Sequence, residues 1–137
     1  MRDVYRVIDA NLNRLREGLR VLEEIARFIL EDAEMTAKIK DTRHRVTAVI
    51  GELPGGMLEL IQARDAAGDV GAISWTPGEN TRGDLISLTA ANFKRAQEAA
   101  RVLEEFCKLI ATQAAREFKK IRFEIYEIEL DMLKKMS

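Results

Sequence analysis

From Ile8 the apolar residues fall at Leu12, Leu15, Leu19, Leu22, Ala26 and Ile29, alternating steps of four and three that mark one face of a helix. Val21, Ile25 and Phe28 widen that stripe, which predicts a helix packed against at least two neighbours rather than a lone coiled coil. The pattern returns at Phe93, Ala96, Ala100, Leu103, Cys107 and Ile110, each 81 residues after its counterpart. A constant offset of this kind is an internal repeat.

Each long helix is followed by a second helical stretch. The first runs from Met35 to about Gly51 with Ile39, Val46, Val49 and Ile50, the second from Ala114 to about Lys134 with Phe118, Ile121, Ile125, Ile128 and Leu130. Lys40-Asp-Thr-Arg43 resembles Lys119-Lys-Ile-Arg122 at an offset of 79, so this part of the repeat is weaker. Between the hairpins lie both prolines and six of the eight glycines, in Pro54-Gly55-Gly56, Gly68-Asp69-Val70-Gly71, Pro77-Gly78 and Gly83. Met57 to about Ala63 has room for two helical turns there. The expected fold is all-α: a pseudo-twofold helical bundle of two repeated hairpins, about 4–51 and about 87–134, with a Gly-rich insert of about 52–86 lying across it. One domain over residues 1–137 is expected from that length.

Charge narrows the partners. A formal net charge of -1 supplies no overall field for nucleic acid or an acidic membrane, so an anion site must be local. No apolar run approaches a membrane span, and the charged N-terminus does not read as a signal peptide, so a cytoplasmic location is expected. Cys107 lies on the apolar stripe and reads as a small core residue.

The repeat also carries polar residues. Asn11-Leu-Asn-Arg-Leu-Arg-Glu-Gly-Leu-Arg-Val-Leu-Glu-Glu24 matches Asn92-Phe-Lys-Arg-Ala-Gln-Glu-Ala-Ala-Arg-Val-Leu-Glu-Glu105 at eight of fourteen positions. Six of the eight are polar, more than shared packing requires. Helical spacing sets Asn11, Arg14, Gly18 and Val21 in one row and Asn92, Arg95, Ala99 and Val102 in another. Glu17 and Glu98 follow their arginines by three and can hold each guanidinium in place. Mid-helix Asn is unfavourable, so its duplication favours a role at a site or subunit junction. Arg20, Glu23, Arg101 and Glu104 face away from the stripe and read as surface ion pairs.

In the insert, Arg64, Asp65, Gly68, Asp69 and Gly71 place carboxylates and a cation among glycines, a composition suited to phosphate and Mg2+ or to a solvated turn. Arg43, His44, Arg82 and Asp84 are further candidates. No Gly-rich phosphate-binding signature or nucleophile elbow is present.

Asp9-Ala-Asn-Leu-Asn-Arg14, Glu17-Gly-Leu-Arg-Val-Leu-Glu-Glu-Ile-Ala-Arg-Phe28, Ala63-Arg-Asp65 with Gly68-Asp-Val-Gly71, and Ala91-Asn-Phe-Lys-Arg-Ala-Gln-Glu98 occur in order. With Ala100-Arg-Val-Leu-Glu-Glu105, they make the chain resemble the helical domain found ahead of the barrel in some bacterial and archaeal thiamine-phosphate synthases, and also alone. The resemblance implies a hydroxymethylpyrimidine-phosphate kinase using ATP and Mg2+. On that implication Arg14, Arg95 and Arg64 engage phosphates, Asp65 and Asp69 serve the metal, and Asn11 and Asn92 orient the pyrimidine or phosphate. The implied partners are the pyrimidine phosphate, ATP and a thiamine-phosphate synthase barrel, in a stand-alone chain or one cut from a longer protein. The alternatives are a non-catalytic precursor-binding or regulatory module, and a helical dimerisation domain whose wide apolar stripes would form a homodimer.

Overall fold

A computed structural model describes residues 1–74 and 81–137, and the Pro77-Gly78 pair of the insert lies outside the described residues. Among the described residues the structure is all-helical. Helix α1 is Arg2–Glu24, continued by a π-turn Ile25–Ile29; then come α2 (Ala33–Ile50), α3 (Gly56–Ala63), α4 (Leu85–Cys107) and α5 (Thr112–Met136).

The repeated stripe builds the core. Leu12, Leu15, Leu19 and Leu22 of α1 meet Phe93, Ala96, Ala100 and Leu103 of α4, with Ile39 and Val46 of α2 and Phe118, Ile121 and Ile125 of α5 closing the other side. Each large aliphatic or aromatic side chain buried this way contributes about 1.5–3 kcal/mol. The most extensive contact is α1 with α4, followed by α4 with α5, and both α1 with α2 and α2 with α5 complete the expected four-helix arrangement. The two-turn helix expected near Met57 forms as α3, packs on α1, and starts from Gly55, whose φ of 79 is one a side chain would resist.

Four packing expectations are corrected. Val21, Phe28 and Ile29 are exposed, although Ile25 and Ala26 are buried as expected. The cause for the last two is the π-turn: Leu30 N–H donates to Ile25 O rather than to Ala26, and the wider turn carries later residues out of the α-helical phase. Asp32 N–H then donates to Ala26 O around Glu31, a non-glycine residue at φ 50, and the Asp32 carboxylate accepts from Met35 N–H to start α2. Leu130 is also exposed, pointing away from the side of α5 that Ile121, Ile125 and Ile128 bury.

At Gly18, α1 and α4 approach closely. A Cβ there would stand 3.3 Å from Asn92 O and 3.5 Å from the Ala96 Cβ. Gly18→Leu should therefore force the helices apart and lower stability by about 1–3 kcal/mol, measured by urea denaturation. A change below a few tenths of a kcal/mol would contradict this close approach.

Cys107 is fully buried, and desolvation pushes its thiol up to about 11. The native protein should resist thiol reagents at pH 8 and become labelled on unfolding. Because the unfolded thiol loses its proton at lower pH than the native one, this group destabilises the fold as pH rises from about 9 toward 11.

Candidate ligand-binding face

The shared polar residues separate into two sets once the helices are packed. The first set is structural. Glu23 and Glu104, expected on the surface, are 3% and 5% exposed. Arg43 Nε donates to Glu23 Oε1 at 3.0 Å, and Arg122 donates through Nε and Nη2 to Glu104 Oε1 at 3.3 and 3.0 Å. Arg20 bridges Glu23 and Glu24, and Arg101 bridges Glu104 and Glu105, in the same way in both hairpins. Helical spacing alone misplaced the two glutamates because their covering arginines come from the next helix. The weak match of Arg43 with Arg122 was the available signal.

The second set lies along the α1/α4 seam. Gly18 against Asn92 and Ala96 sets the register, and the repeat makes the helices antiparallel. That register brings Arg14 level with Glu98 and Glu17 level with Arg95, on the side of the seam facing away from the core stripe. All four side chains are exposed. Among the described residues Glu17, Arg95 and Glu98 make no hydrogen bond or ion pair, and Arg14 makes one contact of 3.5 Å to Asn11 Oδ1. Asn11 and Asn92 each donate from Nδ2 at 2.9 Å to the carbonyl one turn back, Val7 O and Leu88 O. Asn11 is buried, and its Oδ1 steadies Arg14. The helix rise separates Asn11 from the level of Asn92 by roughly 10 Å along α1. The Asn side chains thus serve their own helices, and the charged residues beside them form the open face.

The insert residues are held elsewhere on α1. Arg64 forms a two-pronged pair with buried Asp9, Nε to Oδ2 at 2.8 Å and Nη2 to Oδ1 at 2.7 Å. The hydrogen bond to Asp9 raises the Arg64 pKa. Arg6 Nη2 adds a bond to Asp65 O at 3.3 Å. Asp65 Oδ1 accepts from Gly68 N–H at 2.8 Å and Asp69 Oδ1 from Gly71 N–H at 2.9 Å, so each carboxylate closes its own turn. Among the described residues no group of three or more His, Cys, Asp or Glu is gathered closely enough to hold a metal. Arg82 donates to Thr81 O, Asp84 caps α4 through Ser87 N–H, and His44 is exposed on α2. Arg43 is occupied by Glu23. The seam therefore brings together Asn11, Arg14, Glu17, Asn92, Arg95 and Glu98, and leaves the other expected residues apart from them.

Arg64→Ala should release the insert from α1 by stranding the Asp9 carboxylate. Proteolysis within residues 64–74 should accelerate while helical content is kept, and an unchanged cleavage rate would show that the pair does not anchor the insert.

A duplicated all-α bundle with a polar seam defines the class to which the chain belongs. Its particular membership follows from comparison: residues 6–131 match the ThiD2 family, and the chain belongs to that family. It is 42% identical over 135 residues to a thiamine-phosphate synthase of Rhodopirellula baltica, covering 96% of this chain and 36% of the relative. A thiamine-phosphate synthase of Nostoc punctiforme is 40% identical over 130 residues, with 95% of this chain and 35% of the relative covered. The chain spans about a third of the length of these curated relatives. No solved structure matches it. The part of those relatives that it matches is therefore similar to this helical chain. The relatives are named for thiamine-phosphate synthesis and not for phosphorylating a pyrimidine, which overturns the expected kinase activity and favours the non-catalytic alternative. No helix among the described residues is long and apolar enough to cross a membrane.

Proposed function

We propose that the chain is a non-catalytic domain associated with thiamine-phosphate synthase that binds a thiamine precursor on its α1/α4 face. The observation that carries this reading is the exposed Arg14, Glu17, Arg95 and Glu98 set, duplicated with the repeat and, among the described residues, without ion pairs while its neighbours Arg20, Glu23, Arg101 and Glu104 are paired. Guanidinium groups suit the phosphate of a hydroxymethylpyrimidine phosphate, and carboxylates suit the amino group of its ring. The antiparallel register offers one of each from either helix, so a flat anionic ligand meets both charges across the seam.

Titration calorimetry of the chain with hydroxymethylpyrimidine phosphate tests this directly. Saturable binding is expected without ATP, and ATP added afterwards should remain unconsumed. Heat no greater than dilution would remove the precursor as ligand, and ATP consumption would remove the non-catalytic reading.

A further inference from the structure

One face of α5 has no architectural reason to be apolar. Phe123, Tyr126 and Leu130 are 50%, 40% and 56% exposed, and their spacing of three and four sets them in one stripe with Lys119. At the offset of 79 that relates the second helices, the equivalents of Phe123 and Tyr126 are His44 and Thr47. The same fold is thus built in the first hairpin with polar residues at these positions. The rings are also braced. Phe123 and Tyr126 meet edge to face at 5.7 Å, the Arg122 guanidinium lies 5.0 Å from the Phe123 centroid, and Arg122 Nη1 donates to Tyr126 Oη at 3.4 Å. Glu104 holds the other side of that guanidinium. Aromatic side chains fixed beside an arginine lose little freedom on being covered.

Charge along α5 selects the occupant. Lys119, Lys120 and Arg122 outnumber Glu117 just before the aromatic pair, and Glu127, Glu129 and Asp131 follow it, ahead of Lys134 and Lys135 at the helix end. A second α5 laid antiparallel sets each basic segment 119–122 against an acidic segment 127–131, twice over, with Phe123 meeting Tyr126 of the other copy. A parallel alignment sets like charges together. Among the described residues Lys119 and Glu127 make no ion pair, so they are available for such contacts. We propose that this stripe is a twofold interface at which α5 pairs antiparallel with α5 of a second copy of the chain.

Sedimentation equilibrium and light scattering on the full chain test the proposal. The 15.5 kDa chain should run at about twice that mass at micromolar concentration. Phe123→Asp should give a monomer with an unchanged far-ultraviolet circular dichroism spectrum. Glu127→Lys and Lys120→Glu should each raise the dimer dissociation constant by about tenfold, and the double variant should recover most of the loss. A monomeric wild type at 200 μM would overturn the proposal, assigning the stripe to some other partner. A dimer indifferent to Phe123→Asp, or a charge swap that fails to recover, would do the same. Precursor binding is read separately on the α1/α4 face, so failure of one assignment leaves the other standing.

Discussion

Arg43→Ala should lower the unfolding free energy by roughly 3 kcal/mol, because it leaves the Glu23 carboxylate buried without its main partner. The Glu23 side chain is 4% exposed and that of Arg43 15%, so little water can enter to replace the guanidinium. Arg20 stays 3.6 Å from Glu23, but it is itself half exposed, which keeps the loss near the lower end of the range for broken buried pairs. The surface pair of Arg45 with Glu124 is a control, both side chains being about 40% exposed, and Arg45→Ala should cost below about 1 kcal/mol. Replacing Glu23 and Arg43 together by Met should recover most of the stability, since an apolar pair needs no compensation for desolvated charge. Urea titrations of the three variants decide the matter. A loss under 1 kcal/mol for Arg43→Ala would mean that the glutamate finds other solvation.

The second large effect concerns the seam. A charge-assisted hydrogen bond to a phosphate is worth about 1.5–3 kcal/mol, so Arg14→Ala or Arg95→Ala should weaken precursor binding by roughly tenfold or more. The double variant should lose on the order of 100-fold, with unchanged helical content. The control removes the same charge from the flank: Arg20→Ala with Arg101→Ala, where each arginine already serves two glutamates. Calorimetry should find that control close to wild type. Equal weakening in both double variants would reduce the effect to net charge and remove the seam as the binding face.

Periodicity made much of this architecture legible before any coordinates. The steps of four and three from Ile8 to Ala26 and from Phe93 to Cys107 reflect side chains that do end in the core. The short helix within the glycine-rich stretch forms at Gly56–Ala63, where the sequence predicts it. Burial of Glu23 and Glu104 was not legible, because a helical wheel knows nothing of an arginine arriving from the following helix. The π-turn was hidden for the opposite reason: the apolar spacing runs on through Ile29 as though the α-helix continued. Among site residues, the sequence set Asn11 and Arg14 in one row and Asn92 and Arg95 in another, and helix packing lays the two rows side by side. The sequence could not show that the Asn amides are spent on their own backbones, or that Arg64 is gripped by Asp9. Those outcomes depend on local geometry that residue type alone leaves open.

The corner after α1 explains how the two hairpins can differ in length yet agree in structure. Glu23 and Arg43 are 20 residues apart, whereas Glu104 and Arg122 are 18 apart, and both pairs close. The first corner takes up its surplus in the π-turn and the left-handed Glu31, upstream of α2 and clear of the ion pair. That corner works as an expansion joint: chain length changes there are absorbed before they reach the helix register, making residues 27–31 the natural place to splice in a loop or a label without disturbing either the seam or the α5 stripe.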